Sequence, residues 1–207
     1  HWNAIPVFAD IEENTFNIDP KKIEPLISER TKAILSVDIF GQSANMDALK
    51  EIANKYDIRL LNDCAQAPGT FYKDKFAGTL SDIGGFSLNY HKHIHCGEGG
   101  ILVTNDDAYA ERLCMIRNHA EAVIDSDNPA ELSNMLGYNF RMGEIEAAIA
   151  KTQLDKLEGS ILSRQEAAKQ LDNGLRDLIG LKTPEVTSDT THAYYVYGLT
   201  IDENQTG

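Results

Sequence analysis

Short apolar runs alternating with segments of helical periodicity constrain the fold of this chain more than any other feature. IPVFADI (5–11) reads as a strand, and DPKKIEPLISER (19–30) follows as a helix with Asp19 as N-cap and Pro20 at the first helical position. TKAILSVDIF (31–40) is a second strand, NMDALKEIANKYD (45–57) an amphipathic helix capped by Asn45, and IRLLNDC (58–64) a third strand whose middle is continuously apolar. Strand, helix, strand, helix, strand is the signature of a parallel sheet in an α/β domain.

Two more short strands follow, IGGFSL (83–88) and GGILVTN (99–105), and the residues between them form a loop. DDAYAERLCMIRN (106–118) is helical, with Leu113 and Ile116 on one side. The polar stretch 120–134, rich in Asn, Asp and Ser, reads as a surface loop. From Arg141 onward MGEIEAAIAKTQLDKL forms a helix, and a second, longer one runs from about Ser160 through SRQEAAKQLDNGLRDLI, a length that suits a connector between domains. HAYYVYGLTI (192–201) reads as a strand opening a smaller sheet. The boundary falls near Glu158 and Gly159, with 1–158 as part of a large domain and 159–207 as connector helix and start of a small C-terminal domain. Because the first residue is His1 and the chain stops at Gly207 just after that strand, it is expected to be an excerpt of a longer protein.

At 207 residues and 42% hydrophobic content the chain can bury a proper core. Its net charge of −13, from 19 basic and 32 acidic residues, argues against a nucleic-acid groove, which needs a cationic surface. Cys64, Cys96 and Cys114 are odd in number and show no CxxC spacing, so neither a disulfide framework nor a zinc ribbon is expected, and a reducing cytoplasm fits best. No run approaches the roughly 20 apolar residues of a membrane helix.

The loop NYHKHIHCGEGG (89–100) concentrates chemistry. Were it extended, His91, His93 and His95 would share one face, a spacing that zinc sites use. Against a metal stand the glycines that end the extension, the cation of Lys92 in the middle, and the lack of carboxylates placed to orient the imidazoles; no metal is expected. The other reading centres on Lys92. A lone lysine is usually a solvated charge, but here an apolar strand leads in, Gly97, Gly99 and Gly100 turn the chain, and another apolar strand leads out. A lysine held where it loses water is the kind that forms imines with carbonyl groups. Imine chemistry on a pyridoxal ring calls for a carboxylate near the ring nitrogen. Asp63, at the end of IRLLND, stands where open parallel sheets bind ligands, although an aspartate there can equally cap the next turn.

The stretch NDCAQAPGTFYKDKFAGTLSDIGGFSLNYHKHIHCGEGG resembles the core of the DegT/DnrJ/EryC1/StrS sugar aminotransferases. The resemblance rests on Asp63, Ala65 and Gln66, then Phe86 and Ser87, then Lys92, then Gly97, Glu98, Gly99 and Gly100, in that order. It extends to PVFADI, GQSANMDALKEIA and GYNFRMGEIEAAIAKTQLDKL, most of the chain. It implies the three-layer α/β/α fold of type I pyridoxal-phosphate transferases, with a mostly parallel central sheet and a smaller C-terminal α+β domain. It also implies pyridoxal 5′-phosphate as cofactor. Lys92 would bond to it and shuttle the proton, Asp63 would pair with the ring nitrogen, Gln66 would meet the ring hydroxyl, and Ser87 would donate to the phosphate. Asn139 of GYNFR would reach the phosphate in a neighbouring subunit, which makes the protein a homodimer with shared sites. The implied reaction moves an amino group, from glutamate by family habit, to a keto sugar that is nucleotide-linked or long-chain, in the making of surface polysaccharide or related glycoconjugates.

Departures mark the substrate end. The loop is richer in histidine than is usual in the family, and VDIFG places Asp38 where a histidine is common. His91 and His93 either contact substrate or are structural, and Arg141, with Arg117 and His119, is a candidate for anionic substrate groups. Two rival functions remain in view. One is a dehydratase of the same family, which would carry histidine in place of Lys92; the other is a regulator that binds the cofactor without turnover.

Overall fold

The structure is a computed structural model that describes residues 3–121 and 135–206. Its centre is a four-stranded sheet in the order β1 (Ala33–Val37), β2 (Arg59–Asp63), β5 (Ile83–Ser87) and β6 (Gly100–Val103). The first three strands run parallel, with Val37 beside Asp63 and Asp63 beside Gly85, and β6 returns antiparallel with Gly100 beside Ser87. Between β2 and β5 the chain makes a small hairpin, β3 (Phe71–Tyr72) and β4 (Lys75–Phe76). Lys73 and Asp74 turn it with positive φ, the geometry that matches the twist of paired strands.

The crossover from β1 to β2 is α1 (Met46–Lys55). Asn45 caps it by accepting the Ala48 N–H at 3.1 Å. Met46, Leu49, Ile52 and Ala53 fall on one face and bury against Ile34 and Leu60 of the sheet, together with Ile23 and Tyr72. Each such large side chain contributes about 1.5–3 kcal/mol on burial. Gly84 of β5 lies so close to the backbone of Gly78, in the turn after β4, that it has no room for a Cβ.

Beyond the sheet lie α2 (Asp107–Arg117), α3 (Glu144–Leu154) and α4 (Leu157–Leu175), then the short pair β7 (Leu181–Lys182) and β8 (Thr200–Ile201) and a terminal turn α5 (Glu203–Thr206). Leu157 and Ile161 of α4 join Leu88, Ile94, Cys96 and Ala193 in a second core cluster, with Met142 and Ala150 against it. That cluster seats the histidine-rich loop on the helices. Among the described residues no helix is long and apolar enough to cross a membrane.

Three sequence expectations are corrected. Residues 19–30 form two 3-10 turns, Pro20–Lys22 and Glu24–Leu26, because Pro25 supplies no N–H and breaks an α-helix there, although Asp19 does cap, accepting the Lys21 N–H at 2.9 Å. Residues 5–11 form no strand; Ile5, Val7 and Phe8 are exposed, and the ladder is reduced to a bridge between Ile11 and Ile18. Of 192–201 only Thr200–Ile201 is strand, since the N–H groups of Ala193 and Tyr195 are taken by the carbonyls of Gly41 and Phe40, each at 2.8 Å. The long helix begins at Leu157, so the boundary expected at Glu158 and Gly159 falls within its first turn. Most of the expected surface loop, 122–134, lies outside the described residues.

Candidate active site

Three parallel strands end at one edge of the sheet, and that edge collects the polar residues. Asp38 follows β1, Asp63 ends β2 and Ser87 ends β5. This is where open α/β sheets bind ligands, because the loops diverge there. Asp63 is half-buried, and its Oδ1 accepts the Ala65 N–H at 2.9 Å, which shapes the turn after the strand. Among the described residues its Oδ2 has no hydrogen-bond partner, so the turn-capping bond leaves one carboxylate oxygen unused.

Gln66 and Ser87 have the same divided character. Gln66 Oε1 accepts the Phe40 N–H at 2.7 Å, which fixes the amide orientation and leaves its NH2 to donate elsewhere. Ser87 Oγ accepts the Asn89 N–H at 3.2 Å, which leaves its hydroxyl proton to donate.

The loop after β5 is tied at both ends. Leu88 N–H reaches Gly99 O at 2.8 Å, Cys96 N–H reaches Leu88 O at 3.0 Å, and Asn89 Nδ2 donates to Glu98 Oε1 at 2.7 Å. Lys92 N–H closes a turn on Asn89 O at 2.9 Å. Its half-buried side chain places Nζ 4.5 Å from the centre of the Tyr195 ring. Because the segment turns and bends, the three imidazoles do not share a face. His91 is exposed and stacks on Tyr90, His95 is exposed, and His93 is buried with Nε2 2.8 Å from Ala193 O. Burial pushes the His93 pKa down, so the ring is neutral, and its buried Nδ1 has no partner among the described residues. No group of three potential metal ligands forms among the described residues.

Asn139 is exposed and bridges to Asn118, just past α2, and Arg141 Nη1 donates to Asn118 Oδ1 at 2.8 Å. Arg117 and His119 flank the same place, with Arg117 O accepting the Phe140 N–H at 2.9 Å and His119 N–H donating to Tyr138 O at 2.9 Å. No hydrogen bond or ion pair among the described residues links this group to Lys92, Asp63 or Ser87. Within one chain Asp63 and Ser87 stand at the strand ends, Gln66 holds the Phe40 N–H after β1 and Lys92 stands in the loop after β5, while Asn139 and Arg141 bond to Asn118.

Sequence reading missed Tyr195, whose only signal was its place in an aromatic run. It also noted Asp38 without its burial. Asp38 is wholly buried and its Oδ1 accepts both Ala44 N–H and Asn62 Nδ2 at 3.0 Å, while Cys64 Sγ lies 3.4 Å from Oδ2. Burial pushes its pKa up to about 6, against the lowering pull of Asn62, Ala44 and Cys64. Its N–H donates to Asp63 O at 2.9 Å, so this network underlies the site without entering it.

The sequence model of the DegT/DnrJ/EryC1/StrS aminotransferase family matches residues 1–206. The chain belongs to this family. It is 35% identical over 213 residues to the spore coat polysaccharide biosynthesis protein SpsC of Bacillus subtilis (strain 168), covering 100% of this chain and 55% of that protein. It is 38% identical over 205 residues to the dTDP-3-amino-3,6-dideoxy-alpha-D-galactopyranose transaminase of Aneurinibacillus thermoaerophilus, covering 98% of this chain and 54% of that one. The solved aminotransferase of Psychrobacter cryohalolentis superposes with a TM-score of 0.88 at 29% identity, over 97% of this chain and 55% of its own. The chain spans about half the length of the curated relatives it matches. The fold is accordingly that of the type I pyridoxal-phosphate transferases, and the cofactor of the DegT/DnrJ/EryC1/StrS family is pyridoxal 5′-phosphate. The donor set fits that group: a primary amine, a carboxylate oxygen without a protein partner, and amide and hydroxyl donors whose acceptor side is already occupied.

Proposed function

We propose that the protein containing this chain is a cytoplasmic, homodimeric aminotransferase that moves an amino group from glutamate to the ketone of a nucleotide-linked or long-chain keto sugar, in the biosynthesis of surface polysaccharide or a related glycoconjugate. The observation that carries this reading is Lys92. Its amine stands in a tied loop beside the strand ends, and among the described residues no carboxylate forms an ion pair with it. The transaminase named among the relatives supports the amino-sugar product, and the spore coat protein supports the polysaccharide role.

When bound, the cofactor supplies an aldehyde and an electron-withdrawing ring. Lys92 Nζ would offer the amine that attaches it and, once free, would carry the proton as acid and base. Asp63 Oδ2 would hold the proton on the ring nitrogen by opposite charge. Gln66 Nε2 would donate to the ring hydroxyl, and Ser87 Oγ would donate to the phosphate. Asn139, exposed in this chain, would serve the phosphate in the neighbouring subunit. His91 and Arg141, both exposed, would be the substrate contacts; the burial of His93 and its bond to Ala193 O support a bracing role for that ring.

Borohydride reduction of the full-length protein with pyridoxal 5′-phosphate, followed by peptide mapping, tests the assignment. The label is expected on Lys92, and the Lys92→Ala variant is expected to lose both the label and amino transfer from glutamate to a panel of keto sugars. A label on any other residue overturns the reading.

A further inference from the structure

The segment from His192 to Tyr195 is fixed from two sides. Toward the strand ends, Ala193 N–H donates to Gly41 O and Tyr195 N–H to Phe40 O, each at 2.8 Å. Toward α4, Arg164 Nη1 donates to Tyr194 O and Gln165 Nε2 to His192 O, each at 3.0 Å. Ala193 O in turn receives His93 Nε2 from the lysine loop at 2.8 Å. The approach requires glycine at position 41, where φ is +112° and a Cβ would stand 2.9 Å from Tyr194 N. With its backbone held on three elements, Tyr195 presents its ring as a fixed surface. Lys92 Nζ lies 4.5 Å from the centre of that ring and the His93 ring 5.7 Å from it. A cation over an aromatic face is attracted by the negative face of the ring, and the attraction grows as water is excluded. Among the described residues no acid competes for Lys92, and His93, kept neutral by burial, adds no rival cation.

We propose that Tyr195 is a positioning residue for Lys92: the ring face holds the ammonium group of the unbonded lysine in place, and so sets where the amine stands when it gives up its proton to solvent and condenses with the cofactor aldehyde, the C=N bond forming as water leaves. This rests on the reading of Lys92 as the attachment point. Without the ring the long side chain regains its rotamers, and the amine spends less time where the aldehyde arrives. The phenol oxygen is not needed, so phenylalanine replaces tyrosine without loss, whereas leucine keeps bulk and loses the attraction.

Reductive methylation of the cofactor-free, full-length protein with carbon-13 formaldehyde reads the contact directly. The Lys92 N-methyl resonance, identified by its loss in Lys92→Arg, is expected to lie upfield of the other lysines through the ring current. It stays there in Tyr195→Phe and joins the other lysines in Tyr195→Leu. The rate of absorbance change on adding pyridoxal 5′-phosphate should fall about two- to fivefold in Tyr195→Leu and hold in Tyr195→Phe. A wild-type resonance already among the other lysines overturns the inference even if Tyr195→Leu does not fold. So does an unchanged or faster rate in Tyr195→Leu. Borohydride mapping run alongside separates the two claims: a label retained on Lys92 with no ring-current shift defeats the positioning role alone, and a label absent from Lys92 defeats the functional reading beneath it.

Discussion

Asp38 closes β1 with its carboxyl group withdrawn from solvent, and donors from Ala44, Asn62 and Cys64 reach it there. These bonds favour the carboxylate, but burial outweighs them, and the pKa rises from the ordinary 3.8 to about 6. The sign of the pH effect follows. An acid whose folded pKa is raised binds its proton more tightly when folded, so its contribution is full below pH 4 and is lost as pH climbs through about 6. The span corresponds to about 3 kcal/mol, to order of magnitude. Asp38→Asn keeps the shape and removes the titration. Its melting temperature should exceed that of the wild type at pH 7.5, and the difference should shrink or reverse at pH 4.5; a pH-independent difference in thermal melts would show that Asp38 does not titrate as described. The sequence displayed Asp38 only as an acid after a strand, since its surroundings come from positions 24 and 26 residues further on. Asp63, Ser87 and Lys92 were legible because a single continuous stretch spaces them, whereas Tyr195 meets Lys92 across a hundred residues of chain that no local pattern spans.

At the level of elements, legibility followed how much of an element's bonding is local. α1 and α2 were readable because their caps, Asn45 and Asp106, and their periodic apolar residues lie within them. The parallel strands were readable through their apolar runs and the helix between them. The runs at 5–11 and 192–201 have strand-like composition, but a strand is made by its ladder, and their N–H and C=O groups lack a strand partner or go to irregular backbone. The fold-back of 192–195 onto Phe40 and Gly41 is the clearest case, because a tertiary contact overrides local propensity there. Its dependence on one glycine can be measured. In Gly41→Ala a Cβ meets Tyr194 N at 2.9 Å, Tyr195 N at 3.1 Å and Gln66 O at 3.2 Å on a backbone with φ of +112°. The variant should lose about 1–3 kcal/mol in denaturant melts. It should also show faster amide exchange at Ala193 and Tyr195 than the wild type under native conditions. Stability equal to the wild type would mean that the close approach is not maintained.

On the scale of the whole molecule, the acidic balance of −13 does nothing to attract a phosphorylated cofactor or a nucleotide-linked sugar, so local donors must do the holding. This chain brings Ser87 to the strand ends, while Asn139 bridges to Asn118, which Arg141 also contacts. If Asn139 completes the phosphate site of a second subunit, each site needs Lys92 from one chain and Asn139 from the other, and the requirement is testable by mixing. Lys92→Ala homodimers have no attaching amine, and Asn139→Ala homodimers have a weakened phosphate site. A hybrid of the two has one site with both residues intact, with Lys92 from the Asn139→Ala chain and Asn139 from the Lys92→Ala chain, and one site with neither. Random pairing of equal amounts makes about half the dimers hybrids, each with one working site, so amino transfer should return to about one quarter of the wild-type level. The two parent variants, assayed at the same total concentration but never mixed, give the baseline. Were Asn139 to act within its own chain, the hybrid would hold one site lacking the lysine and one lacking the asparagine, and mixing would restore nothing.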